Sequence, residues 1–229
     1  MSFTNAPRAI LFDLDGTLAD TAPDLAAAVN RLRTDRGLAP TPYDILRPTA
    51  SHGARGMIGA AFGLTPDDDG FVALRDGFFS YYENAMMVHS SLFPGIGALL
   101  AGIADAGMAW GIVTNKSARF TDPLVPMIGL DHAGCVISGD TTPHSKPHPA
   151  PLLEAARRLG VAPEQCWYVG DDLRDIQGGR AAGMTTVACQ WGYCGATEPA
   201  SWEADHLVDT PETLLALVLA STGGVTLAA

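Results

Sequence analysis

Cysteine is scarce in this chain and scattered. The four cysteines, Cys135, Cys166, Cys189 and Cys194, form no C-x-x-C pair, so neither zinc ligation nor a disulfide framework is expected. Reduced thiols of a cytoplasmic enzyme fit this usage. Long apolar runs are also missing: nowhere do 18 apolar residues follow one another, so no transmembrane span is expected. Met1 to Arg8 lack the basic start and long apolar stretch of a signal peptide. Basic residues are few, 14 Lys and Arg against 25 Asp and Glu, a net charge of −11. That balance argues against nucleic acid or an anionic membrane as the main partner. An anionic substrate would need a metal or a few placed cations. No internal repeat or low-complexity tract occurs. His144 and His148 stand four apart, a metal-pair spacing on a helix, but Pro143, Pro147 and Pro149 exclude a helix there.

The 229 residues can bury a sizeable core in one or two domains. Apolar, strand-like runs end at polar punctuation at Arg8 to Asp13, Met108 to Thr114, Gly134 to Ser138, Gln165 to Gly170 and Met184 to Cys189, with a short sixth at His206 to Val208. Helical patterns separate them at Ile96 to Ala106, Ser117 to Ile128, Pro149 to Leu159 and Arg174 to Ala182. This alternation predicts βαβ units and a parallel sheet with helices on both faces, with ligands bound beyond the carboxyl ends of the strands. From Asp20 to about Phe93 the pattern is helical with no convincing strand. Thr21 to Asp24 reads as a capping box, Gly37 as a helix stop, and Pro66 to Asp69 as the start of a helix reaching Val88. The expected organisation is therefore a core of residues 1–19 and 93–229, with residues 20–92 inserted as a helical lid over its active edge.

Four strand ends carry the chemistry. The first reads Ile10-Leu11-Phe12-Asp13-Leu14-Asp15-Gly16-Thr17. Alternation along a strand puts Asp13 and Asp15 on one side, where two carboxylates need a cation or a shared proton. The segment can equally be a strand running into an Asp-Gly turn. The second end places Thr114 and Asn115 before a helix, as a phosphate cradle or as an ordinary N-cap. The third feature, Lys146 in a proline-rich loop, is either a rigidly presented ammonium or a solvated lysine. The fourth end, Gly170-Asp171-Asp172-Leu173-Arg174-Asp175, is either a hard-cation site or an acidic helix start. Taken together, three carboxylates and a phosphate dianion cannot share a site without a divalent cation and a lysine.

In this order the motifs resemble the phosphatase branch of the haloacid dehalogenase superfamily. Asp13 to Thr17 match its first motif, Thr114 the second, Lys146 the third, and Gly170-Asp171 with Asp175 the fourth. The resemblance spans Ala9 to about Val208, and the inserted helices are similar to the family's small helical cap. Within the superfamily the chain resembles bacterial phosphoglycolate phosphatases. Over Ser51 to Arg55, Trp110 to Phe120 and Gly170 to Met184 it is more similar to a subgroup acting on N-acetylmuramic acid 6-phosphate. Asp172 departs from the family's Ser or Thr and adds a negative charge beside the metal acid. The resemblance implies a Rossmann-like core and hydrolysis of a small phosphorylated metabolite. It implies Asp13 as nucleophile, Asp15 as acid and base, and Mg²⁺ held by Asp13, the Asp15 carbonyl and Asp171. Thr114, Asn115 and Lys146 would grip the phosphate, with Asp175 supporting from behind. In the cap, Arg47, His52 and Arg55 are either substrate-binding groups suited to a carboxylate or plain surface. A β-phosphoglucomutase-like mutase and a non-catalytic phospho-ligand module remain the alternatives. Asp15 speaks against a dehalogenase, which has no alkoxide to protonate. Oligomeric state stays open between monomer and dimer.

Overall fold

Ala9–Phe12 (β1) have no exposed surface at all. Ile10 and Phe12 enter one apolar layer, Ala9 and Leu11 the other. That is the two-residue alternation of a strand covered on both faces. The computed structural model describes residues 6–195 and 197–222. The reading of Met1 to Arg8 and both outer ends of the expected core fall partly outside them.

After β1 come β2 (Ala19–Asp20), α1 (Ala22–Thr34), α2 (Tyr43–Leu46), a 3₁₀ turn over Arg47–His52, α3 (Gly53–Phe62), α4 (Phe71–Asn84) and β3 (Ser91–Leu92). The alternating part follows: α5 (Ile96–Asp105), β4 (Ala109–Val113), α6 (Ala118–Met127), β5 (Val136–Ile137), α7 (Ala150–Leu159), β6 (Cys166–Gly170), α8 (Leu173–Ala181), β7 (Thr185–Cys189), β8 (His206–Val208) and α9 (Pro211–Ser221). Six strands form one parallel sheet in the order β5-β4-β1-β6-β7-β8. Leu99, Ile103, Leu214 and Val218 of α5 and α9 pack on one face; Leu152 and Ala155 of α7 pack on the other. This is the Rossmann-like α/β architecture the alternation predicts. No helix among the described residues is long and apolar enough to cross a membrane.

β1 ends at the centre of the sheet, so Asp13 emerges between β4 and β6. The crossovers bring the ends of those two strands beside it, which is where an α/β sheet holds ligands. The inserted helices pack on one another through Leu25, Val29, Leu32, Met57, Leu74, Phe78 and Tyr82. A Cβ on Gly77 would lie 2.8 Å from Leu32 Cδ2, so glycine there lets α1 and α4 approach closely.

The insertion differs from expectation at its ends. It is not free of strands, because β2 and β3 pair antiparallel through Ala19 with Leu92 and Asp20 with Ser91. The Thr21–Asp24 capping box does not form. Thr21 Oγ1 donates to Asp15 instead, and Asp24 accepts from the amides of Val88, His89 and Ser90. α1 does close on Gly37 as expected: its φ is +69°, its amide donates to the Thr34 carbonyl at 3.0 Å and the Leu38 amide to the Arg33 carbonyl at 3.0 Å. The acids before α4 do not start it: Asp68 accepts from the Thr65 amide and hydroxyl in a turn, and the helix begins at Phe71 and ends at Asn84 rather than Val88.

Candidate active site

Asp13 leaves the end of β1 with its amide still in the sheet, donating to the Val169 carbonyl at 2.9 Å. Its Oδ1 accepts from the Leu14 amide at 2.7 Å and pairs with the Lys146 ammonium at 2.9 Å. Oδ2 accepts no hydrogen bond among the described residues, so one oxygen is fixed and the other is open. Oxygens of Asp13, Asp171 and Asp175 lie within 4.8 Å of one another, and all three residues are buried.

Asp171 is held rigidly. Thr17 Oγ1 donates to its Oδ1 at 2.9 Å and the Tyr193 amide to its Oδ2 at 2.8 Å. Two glycines close around it: a Cβ on Gly16, which has φ +91°, would lie 2.2 Å from Asp171 Oδ2, and one on Gly192 2.3 Å from Asp171 Cβ. Burial raises the Asp13 pKa to about 7, against Lys146 and with help from the Asp175 and Asp15 carboxylates. Burial, then the charges of Asp13 and Asp175, push Asp171 well above the usual carboxylate range. Three crowded carboxylates with oxygen-only donors fit a hard divalent cation, which would relieve this repulsion.

Lys146 is buried, not solvated. Its ammonium reaches Asp13 Oδ1, Asp175 Oδ1 at 2.7 Å, the Tyr168 hydroxyl at 2.7 Å and the Val113 carbonyl at 3.0 Å. Burial alone would lower its pKa, but Asp13 and Asp175 outweigh burial and raise it, so the lysine is an ammonium. Asn115 pins the Lys146 backbone from both sides, donating to its carbonyl at 3.0 Å and accepting from its amide at 2.9 Å. Thr114 is not the cap of α6, a place that Ser117 takes. Thr114 Oγ1 accepts from the Lys116 amide at 3.1 Å and faces the site.

Asp175 enters the acidic cluster while also taking the Asp172 amide at 3.1 Å as half of a capping box on α8. Asp172 is that helix's N-cap and forms an ion pair with Arg174. It is thus no bare charge beside Asp171. The Asp15 carboxylate stays out of the three-acid cluster: Oδ1 takes the Lys116 ammonium at 2.8 Å and the Thr21 hydroxyl at 2.5 Å.

A cavity of about 270 Å³ opens over these groups. Asp13, Asp15, Thr114, Lys146 and Asp175 form its floor, while Phe78, Phe79, Tyr82 and Phe120 make an aromatic wall. Two buried hydroxyls in its lining, Ser51 and Tyr82, have no hydrogen-bond partner among the described residues. Of the three insertion residues singled out, only His52 lines the cavity. Burial and then the Arg174 guanidinium lower its pKa, which favours the neutral imidazole. Arg47 is engaged elsewhere, donating to the Gly192 carbonyl at 3.2 Å with its guanidinium 5.1 Å from the Tyr193 ring centre. Arg55 does not line the cavity either. The cations that do, Lys116, Lys146 and Arg174, come from the sheet side. Lys116, Arg174, Tyr193 and the aromatic wall carried no expected role. A lysine directly after Thr114-Asn115 in an acidic chain was the available signal; Tyr193 gave none.

The family described as haloacid dehalogenase-like hydrolase matches residues 10–189. The chain is 47% identical over 210 residues to a phosphoglycolate phosphatase of Xanthomonas campestris pv. campestris, covering 91% of this chain and 95% of that one. It is 44% identical over 206 residues to an N-acetylmuramic acid 6-phosphate phosphatase of Pseudomonas putida, covering 89% and 92%. Among solved structures, a predicted phosphoglycolate phosphatase from Haemophilus somnus superposes with TM-score 0.83 at 27% identity, covering 93% of this chain and 99% of that one.

Proposed function

The chain belongs to the haloacid dehalogenase-like hydrolase family, and we propose that it is a Mg²⁺-dependent phosphomonoesterase of the cytoplasm working through an aspartyl phosphate on Asp13. That it is a phosphatase follows from the family and from relatives named for that activity. The finer reading rests on one observation: an open Asp13 oxygen stands beside Lys146 and two further buried carboxylates on the floor of one cavity.

In this reading Asp13 Oδ2 attacks phosphorus in line and the bond to the leaving oxygen breaks. Asp15 gives that oxygen a proton, then takes one from the water that hydrolyses the aspartyl phosphate. Thr114, the Asn115 amide and Lys146 hold the phosphoryl oxygens. The cation would sit on Asp13, Asp171 and the Asp15 carbonyl, with Asp175 in reach, and when bound it supplies neutralisation of phosphoryl charge. Residues 20–92 act as the cap that selects the substrate over the core of 1–19 and 93–229.

Phosphoglycolate and N-acetylmuramic acid 6-phosphate are the two substrates the relatives' names suggest. The aromatic wall and the unpaired Ser51 hydroxyl favour the amino-sugar phosphate, which offers apolar faces and hydroxyls that a two-carbon acid lacks. Asp13→Asn should abolish turnover of p-nitrophenyl phosphate and of both metabolites. Wild-type rates in that variant would rule the covalent route out. EDTA should stop the reaction and Mg²⁺ restore it, and kcat/KM on the two metabolites ranks them.

A further inference from the structure

Lys116 stands apart from the phosphate-gripping groups. Its ammonium lies 2.8 Å from Asp15 Oδ1 and 4.8 Å from the centre of the Tyr82 ring on α4. Both side chains are mostly buried, with 8% of Lys116 and 13% of Asp15 exposed. Its backbone is anchored on both sides: the amide donates to Thr114 Oγ1, and the carbonyl accepts from the Gly139 amide at 2.8 Å and the Thr121 hydroxyl at 3.2 Å. A Cβ on Gly139 would lie 2.3 Å from the Asn115 carbonyl oxygen, so that turn is closely packed. A lysine side chain keeps one geometry only when it is held at both ends, and here it is.

The contact has a chemical consequence. Asp15 Oδ1 accepts from two donors, Lys116 and Thr21, while Oδ2 accepts none among the described residues. An oxygen already engaged by an ammonium and a hydroxyl has its lone pairs occupied, so Oδ2 is the carboxyl atom left free to face the leaving oxygen.

We propose that Lys116 is a positioning residue for proton transfer, gripping Asp15 Oδ1 so that Oδ2 presents its proton to the leaving oxygen. As the P–O bond breaks, that proton moves from Oδ2 to the departing alkoxide and leaves the carboxylate paired with Lys116. The Tyr82 ring braces the ammonium from the inserted helices, so the device is complete only when α4 is in place. The proposal rests on Asp15 being the acid.

Leaving-group dependence tests it. An activated ester such as p-nitrophenyl phosphate needs little protonation, whereas glycerol 2-phosphate, with an alkoxide leaving group and no second anion, needs full protonation. Lys116→Met should lower kcat/KM on glycerol 2-phosphate by about 10²–10³-fold and on p-nitrophenyl phosphate by less than about 5-fold, with inhibition by inorganic phosphate unchanged. Lys116→Arg should recover most of the loss. If Lys116→Met does not fold, Lys116→Gln takes its place in the same comparison. An equal loss on both esters, or a rise in KM at constant kcat, would overturn the proposal; the latter would make Lys116 a binding group. Asp15→Asn is the control. It is compared by kcat/KM, which excludes the shared hydrolysis of the aspartyl phosphate: if it too loses both esters equally, the acid role itself fails; if it discriminates and the lysine variants do not, only the role of Lys116 fails.

Discussion

Arg174 grips Asp172 edge-on, with Nε 2.7 Å from Oδ1 and Nη2 2.9 Å from Oδ2. The same Nη2 donates to the Ser51 carbonyl at 2.8 Å, so one guanidinium neutralises an acid of the sheet edge and fastens the 3₁₀ turn of the insertion to it. The extra negative charge beside Asp171 that the sequence suggests is therefore balanced locally. Burial works against charge on Asp172, but Arg174 outweighs it and holds the pKa below the ordinary value.

Arg174→Met should cost about 2 kcal/mol in urea unfolding, because it strands a mostly buried carboxylate. Asp172→Asn in the same background should return part of that loss, read as a coupling in a double-mutant cycle. The pH dependence has a definite sign. A depressed folded pKa contributes stability above the ordinary value of 3.8 and loses it as pH falls through the folded value. The difference between wild type and Arg174→Met should thus shrink below about pH 4.

Gly16→Ala tests the cradle around Asp171. The residue has φ +91°, and its new Cβ would fall 2.2 Å from Asp171 Oδ2, an atom already held by the Tyr193 amide. Both the conformation and the clash oppose alanine, so a loss of about 2–4 kcal/mol in unfolding free energy is expected. Mg²⁺ affinity by calorimetry should fall with it. Unchanged stability and affinity would mean the loop shifts freely.

The strands were legible because each is a short apolar run, closed by Asp13, Thr114 and Gly170 in three cases, and the observed β1, β4, β6 and β7 lie within the predicted runs. Topology then brings together residues that the sequence could only place at separate strand ends: Asp13, Lys146, Asp171 and Asp175. What stayed hidden was partner choice across the fold. Lys116 finds Asp15 across 101 positions, and the Tyr193 hydroxyl accepts from Thr21 and Ala22 across 172 and 171. Local pattern misled at Thr21 and Asp24 for the same reason: both side chains have the chemistry of a capping box, but distant partners offered more hydrogen bonds. Arg47 looked free for a substrate until the loop of Gly192 and Tyr193 was seen to occupy it.

Asp24 fastens the return strand of the insertion to the start of α1. Its carboxylate accepts from the amides of Val88, His89 and Ser90 and from the Ser90 hydroxyl at 2.7 Å, with 2% of the residue exposed. Asp24→Ala should cost about 2–4 kcal/mol, since it leaves three amides and a hydroxyl without their acceptor. Limited proteolysis should then cut first within residues 85–90. A cleavage pattern identical to wild type would show the clasp to be dispensable.

Metal binding should flatten the pH dependence of stability. Without metal, Asp13 keeps its proton up to about pH 7 because its pKa is raised from 3.8. An acid raised on folding supports the folded state fully below its ordinary pKa and loses that support as pH climbs through the folded value. Asp171, raised for the same reason of burial, adds in the same direction. The metal-free protein should therefore show a Tm that falls between about pH 4 and pH 7. A divalent cation must displace those protons, so it binds poorly at pH 5 and well at pH 8. The Tm gain on adding Mg²⁺ to EDTA-treated protein should accordingly be near zero at the acidic end and grow across the same interval. A gain independent of pH would place the ion away from Asp13 and Asp171, because only a site built on those two acids competes with their protons.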